Sequence, residues 1–214
     1  ASYTLNIGKK APDTKDFKLV HSNGTQFQGG TSQTYGTNGI SYHAEVAEGV
    51  TGMGEPQLRW RKKGVDYPTL ANMATTTFDR IASTTPAAQY QIFVYVPAGD
   101  NYQEALVVTG GIQIIDTRQL VIKDGDLAVT KTYDGTAAAP ALTALTGALT
   151  LSGSASWLDI INNDQVAAEV VSVTDYPNAE AGQHTVTLRV KLTGADMGNY
   201  SFYVSGSQQQ VQKD

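Results

Sequence analysis

A chain of 214 residues has room for one large domain or two small ones, and its 41% hydrophobic and 16% charged residues, with 21 glycines, suit short strands joined by many turns. The absence of cysteine excludes disulfides, zinc–thiolate centres and thiol nucleophiles. A formal charge of −5, spread along the sequence without a basic stripe, disfavours a nucleic-acid partner, and no run approaches the roughly 20 apolar residues that span a bilayer.

In chain order the first expected element is Tyr3-Thr4-Leu5-Asn6-Ile7, which looks like Tyr200-Ser201-Phe202-Tyr203-Val204 near the other end. It reads either as the last strand of another module or as a first strand swapped into this one. A polar link follows, Lys9-Lys10-Ala11-Pro12. Strands are then expected at 17–21, 40–47 and 57–62, with turns at Gly29-Gly30 and Asn38-Gly39, where glycine and asparagine tolerate left-handed backbone. From Tyr90 to Val96 the period is two, with Tyr90, Ile92, Val94 and Val96 on one face and Gln91, Phe93 and Tyr95 on the other. A turn at Asp100-Asn101-Tyr102 leads into a strand over 105–115.

A second polar link, Ile115-Asp116-Thr117-Arg118, places a boundary near Asp116 and predicts modules at 1–115 and 116–214. In the second, strands are expected at 120–122, 127–132, 166–174 and 201–204. The small-residue stretch from Thr136 to Leu151 reads as loop and strand, and 154–162 as a helical turn with Trp157, Ile160 and Ile161 inward. Alternation is clearest from His184 to Thr193, where Val186, Leu188, Val190 and Leu192 share one face. Burying each aliphatic side chain contributes about 1.5–3 kcal/mol before entropy, which marks a core strand. Gly198-Asn199-Tyr200 follows it as Asp100-Asn101-Tyr102 follows the earlier one, so the two stretches read as one hairpin repeated. Tyr90, after Pro86, has the placement of a corner tyrosine whose hydroxyl bonds back to upstream backbone, and His184 takes the matching place in the second half.

Three segments carry a family likeness: Thr130-Lys131-Thr132-Tyr133-Asp134-Gly135-Thr136, Asn163-Asp164-Gln165-Val166 and Gly194-Ala195-Asp196-Met197-Gly198-Asn199-Tyr200. Together they resemble the signature of the YDG/MBG family of bacterial immunoglobulin-like repeats, which opens on Lys-x-Tyr-Asp-Gly-Thr and closes on Gly-Asn-Tyr. The likeness covers most of 117–207. Residues 8–115 resemble the wider group through Val96-Pro97-Ala98-Gly99-Asp100-Asn101-Tyr102, with Gln33-Thr34-Tyr35-Gly36-Thr37 where a Tyr-Asp-Gly would stand. The resemblance implies an all-β chain of two tandem immunoglobulin-like β-sandwich modules, an extracellular or bacterial cell-surface location, and a spacer or adhesin role. It implies no catalysis and no cofactor. The expected partners are neighbouring repeats of the same chain or an unknown protein or glycan ligand, and the chain is expected to be monomeric.

Candidate binding residues are Trp60, with Arg59 and Arg61 beside it, and Tyr67 and Tyr102, because aromatic and cationic groups together grip an anionic sugar or a partner protein. On an alternating strand, however, Leu58 and Trp60 face the core while Arg59 and Arg61 face water. Asp124-Gly125-Asp126 has carboxylates for calcium, but Gly135 falls where an EF-hand needs glutamate, and an Asp-Gly turn accounts for it better. His21 and His43 are isolated, so no metal site is expected. Tyr133 and Asp134, if on a strand, point to opposite faces, which favours a turn role for Asp134-Gly135. No Gly-x-Ser-x-Gly elbow, Walker loop or dinucleotide fingerprint occurs, and no catalytic residue is expected. Two other readings stay open: an enzyme with a carboxylate pair drawn from distant strands, and a carbohydrate-binding accessory module, which requires Trp60, Tyr67 or Tyr102 to be exposed.

Overall fold

β-Branched and aromatic residues recur at every second position in short runs, and Gly, Asn and Asp cut those runs off, so the chain folds as an all-β protein. The computed structural model describes residues 3–27, 30–37, 42–122, 131–147, 151–153, 160–161, 163–184 and 186–204. The chain divides into two compact units, Ala1–Asp116 and Thr117–Asp214.

The first unit contains β1 (Phe17–His21), β2 (Thr31–Thr34), β3 (Tyr42–Val46), β4 (Gln57–Lys62), a one-turn helix α1 (Met73–Thr76), β5 (Ala88–Val96) and β6 (Ala105–Asp116). β1 and β3 form an antiparallel pair, and the other strands form a sheet in the order β2-β6-β5-β4, with β2 parallel to β6 and the remaining pairs antiparallel. The alternation in β5 is realised: Tyr90, Ile92, Val94 and Val96 are at most 3% exposed. Leu58 and Trp60 of β4 join them, as do Phe17 and Val20 of β1 and Met73 of α1. The Tyr42 ring of β3 lies 5.9 Å from that of Trp60. Gln113 is buried in the same core, where its Oε1 accepts from Thr31 Oγ1 and its Nε2 donates to the Ile114 carbonyl at 2.9 Å, so its amide is satisfied.

Residues 3–9 lie in no strand, and Tyr3, Leu5 and Ile7 are 88%, 91% and 98% exposed. The strand expected at 3–7 is therefore not formed within this unit. Its alternation is real, but a strand needs a partner edge, and the chain is first held at Lys9, whose carbonyl accepts from Gln103 Nε2 at 2.9 Å, and at Lys10, in a parallel bridge to Tyr102. The strand expected at 40–47 is described over Tyr42–Val46. Of the turns expected at Gly29-Gly30 and Asn38-Gly39, Gly29, Asn38 and Gly39 lie outside the described residues.

The second unit contains β7 (Arg118–Ile122), the short helix α2 (Leu142–Gly147), β8 (Leu151–Gly153), β9 (Ala167–Val173), β10 (Leu188–Thr193), a 3₁₀ turn (Met197–Asn199) and β11 (Tyr200–Val204). β9 and β10 pair antiparallel; β7 lies between β11, to which it is parallel, and β8, to which it is antiparallel. One core joins the two sheets: Ile122 of β7 meets Ala168 and Val170 of β9, Val190 of β10 and Leu145 of α2, with Leu151, Leu188 and Phe202 packed against them. Regular strand starts only at Leu188, later than the alternation from His184 suggests.

Five expectations that involve this unit are corrected or fall, wholly or in part, outside the described residues. The stretch from Thr136 to Leu151 holds a helix, because Leu142 and Leu145, three apart, put Leu145 into the core. The strand expected at 127–132 is described only at Lys131 and Thr132, which are not in a strand, and the Asp124-Gly125-Asp126 turn and most of the 154–162 turn lie outside the described residues. The two hairpins are also not equivalent. β5 turns back to pair with β6, whereas β10 pairs with β9, and the 3₁₀ turn delivers the chain to β7 in the other sheet.

Candidate functional site

Because side chains alternate along a strand, burying Leu58 and Trp60 turns Arg59 and Arg61 to the outer face of the four-stranded sheet. Register then sets their neighbours: Arg59 lies opposite Phe93, Arg61 opposite Gln91, and Gln57 opposite Tyr95. Just past β4, the Lys63 ammonium donates to Gln89 Oε1 at 3.2 Å, which continues the row. Arg59, Arg61 and Lys63 thus stand two residues apart on one face, spanning roughly 13 Å at about 3.3 Å per residue. Among the described residues, none of Arg59, Arg61, Lys62 and Lys63 enters a salt bridge. Arg61 Nη1 donates to the Thr76 carbonyl at 3.2 Å, but the Nε groups of Arg59 and Arg61 are buried without a hydrogen-bond partner. An unmade bond of this kind costs about 1–3 kcal/mol.

Aromatic rings frame the row. Phe93 is only 1% exposed although it faces outward, because the loop after β4 brings Tyr67 over it, edge to face at 6.1 Å. Tyr67 itself is 64% exposed. On the far side Tyr95 Oη donates to Glu104 Oε1 at 2.5 Å; that hydrogen bond raises the Tyr95 pKa, so the phenol stays protonated.

Of the five candidate binding residues, the fold brings Arg59, Arg61 and Tyr67 together and removes Trp60 and Tyr102, which are 2% and 7% exposed. Trp60 is a core side chain because its strand face is. Tyr102 is buried by its hydroxyl, which donates to Asp16 at 3.2 Å. Burial pushes Asp16 up, but hydrogen bonds from Lys10 Nζ (2.6 Å), the Asp13 amide (2.9 Å) and Tyr102 outweigh it and leave the carboxyl below its ordinary pKa. Sequence reasoning missed Phe93, Tyr95, Gln89 and Gln91 as parts of this face; the alternation of β5 placed them there, and only the register to β4 was missing.

Tyr102 has a counterpart in the second unit. Tyr200 is 5% exposed, donates to Asp164 at 2.7 Å, accepts from the Ile161 amide at 3.1 Å, and opens a parallel pairing with Arg118 as Tyr102 bridges Lys10. A glycine presses close beside each. A Cβ on Gly194 would run into the Gln165 carbonyl, and one on Gly99 into the backbone of Gly52 and Gly54. Asp196 Oδ2 accepts from the Gln165 amide at 2.8 Å, so the Asn163–Val166 and Gly194–Tyr200 segments are clamped to each other. The corner residues also correspond: Tyr90 Oη donates to the Pro86 carbonyl at 2.8 Å, and His184 Nε2 lies 2.7 Å from the Glu180 carbonyl, each four residues upstream.

The Tyr133-Asp134-Gly135 segment is an irregular turn. Asp134 accepts from the Thr136 amide and hydroxyl, both at 2.8 Å, and pairs with Lys131 at 2.9 Å; Gly135 takes φ 74°. These bonds, Lys131 first, hold the Asp134 pKa down to about 2. Lys131 also donates to the Thr136 and Ala138 carbonyls, so the turn is stapled while Tyr133 stands 70% exposed. In the first unit an open cleft of about 390 Å³ is lined by Phe17, Lys18, Leu19, Phe27, Thr109 and Gly110, where β6 bulges; Lys18 is its one ionisable side chain. Among the described residues no group of three or more His, Asp or Glu side chains could hold a metal ion, and no helix is long and apolar enough to cross a membrane.

Residues 116–209 match the family model of the YDG domain. The matched span holds the stapled turn, the Asp164 and Gly194–Tyr200 clamp and the second unit's core. No curated protein and no solved structure matches the chain.

Proposed function

We propose that this chain is a non-catalytic segment of a bacterial cell-surface protein, built as two tandem immunoglobulin-like sandwiches and acting as a spacer or adhesin segment. One observation carries the reading: in both units a buried Asn-Tyr tyrosine hydrogen-bonds an aspartate and pairs in parallel with the unit's opening segment, Tyr102 with Asp16 and Lys10, Tyr200 with Asp164 and Arg118. A joint used twice in one chain is the mark of repeated modules, each with its own core. The YDG match covers the second unit, and two sheets sharing one core support the sandwich description of that unit. A nucleic-acid role is disfavoured on charge, since residues 117–214 carry six Lys and Arg against ten Asp and Glu.

The second reading, a carbohydrate-binding module, is favoured by the convergence of Arg59, Arg61 and Tyr67 on one sheet face. The test of the main reading compares cells displaying the parent protein with and without this segment, measuring adherence and the reach of the outermost domain. Loss of either supports it. Unchanged adherence and reach, together with turnover of a glycan or peptide by the purified chain, contradict it.

A further inference from the structure

We propose that the outer face of β4 and β5 binds a carboxylated polysaccharide, a chain of uronic-acid sugars whose carboxylates meet Arg59, Arg61 and Lys63 while its rings lie against Tyr67 and Tyr95. The surface-module reading supplies the setting in which such a polymer is met; the site itself rests on geometry.

The charge argument comes first. Four cations fall within residues 59–63 of a chain whose net charge is −5. Three of them share one face at two-residue spacing, and none is neutralised by a carboxylate among the described residues. Neighbouring cations on one face repel each other, and a polyanion relieves this along the whole row, with a guanidinium fork matching a carboxylate in two parallel hydrogen bonds.

The form of the site selects a sugar over a peptide. Extended peptides add to sheet edges where main-chain groups are open; β4 is an edge strand, but at its middle Trp60 already exchanges backbone hydrogen bonds with Phe78, and the cations point from its face. The face carries Gln57, Gln89 and Gln91 as neutral donors and acceptors suited to hydroxyls, and is bordered by the exposed Tyr67 ring and the half-buried Tyr95 ring. Side-chain amides beside aromatic rings suit a pyranose, which offers hydroxyls at its rim and C–H groups on its faces.

The test titrates the full chain with an oligogalacturonate by calorimetry at low and physiological salt. Its methyl ester supplies the same rings without charge, and poly-glutamate the charge without rings. The site requires that oligogalacturonate bind, more weakly as salt rises, and that the methyl ester fail to bind. Arg59→Gln with Arg61→Gln should weaken binding at least tenfold, and Tyr67→Ala severalfold, at melting temperatures within a few degrees of wild type. Lys18→Gln, on the cleft elsewhere in the unit, should leave binding unchanged. Absence of oligogalacturonate binding, indifference to the arginine pair, or equal binding of poly-glutamate overturns the proposal, the last in favour of an acidic peptide. These titrations do not depend on where the protein resides, so their failure leaves the surface-module reading standing, and failure of that reading leaves them interpretable.

Discussion

Replacing Tyr200 with Phe removes one oxygen and leaves the ring, which isolates the bond that closes the second unit. That oxygen donates to the Asp164 carboxylate at 2.7 Å and accepts from the Ile161 amide at 3.1 Å, from a residue 5% exposed. A hydrogen bond to a charged acceptor contributes about 1.5–3 kcal/mol, and the amide left behind adds to the loss. Because Asp164 is only half-buried and can turn to water, the expected cost is about 2 kcal/mol. In a domain of this size that lowers the melting temperature by roughly 8–16 °C. Tyr102→Phe should cost less, about 1 kcal/mol, because its bond is 3.2 Å long and Asp16 keeps Lys10 and the Asp13 amide. Urea unfolding followed by NMR at backbone amides of β5 for the first unit and of β10 for the second separates the two losses. A cycle with Asp164→Asn should show coupling of at least about 1 kcal/mol. Tyr200→Phe within about 0.5 kcal/mol of wild type, or a cycle that is simply additive, refutes the clamp.

Val190→Asp places a charge in the cluster of Ile122, Val170 and Leu145 and should unfold the second unit, whereas Lys191→Gln, which loses a surface pair to Glu169 at 3.4 Å, should shift stability by no more than about 0.5 kcal/mol; circular dichroism melts decide. Asp134 has a folded pKa lowered to about 2 from 3.8, so the stability it lends the turn is present above about pH 4 and is lost as pH falls through about 2. The Thr136 amide, followed by NMR, should titrate near that lower value, and the transition should vanish in Asp134→Asn. Deleting residues 1–7 should leave the first unit's urea midpoint unchanged, because Tyr3, Leu5 and Ile7 bury almost nothing.

The strands most legible in the sequence are those with one buried face. β4 and β5 alternate cleanly because Leu58, Trp60, Ile92 and Val94 must leave water while Arg59 and Gln91 need not. β2 is not legible, since Thr31-Ser32-Gln33-Thr34 has no apolar face and owes its place to pairing with β6 and to the Thr31–Gln113 bond. α2 was obscured by threonines and a glycine, with Leu142 and Leu145 its only periodic signal. The equivalence read into the two hairpins fails because a strand's own pattern says which face is buried and not which strand it joins. The same limit applies to the candidate site. Alternation put Arg59 and Arg61 outward, but the approach of Tyr67 to Phe93 is a tertiary contact, and so is the burial of Tyr102 by Asp16.

The most direct test of the central claim, a non-catalytic module exposed outside a bacterial cell, is to shave intact producing cells with trypsin and quantify peptides from this chain, including those ending within the basic row Arg59–Lys63. The account predicts their release from intact cells in amounts close to those from lysed cells, with a cytoplasmic marker protein remaining uncut. Release only after lysis, with the marker, contradicts it.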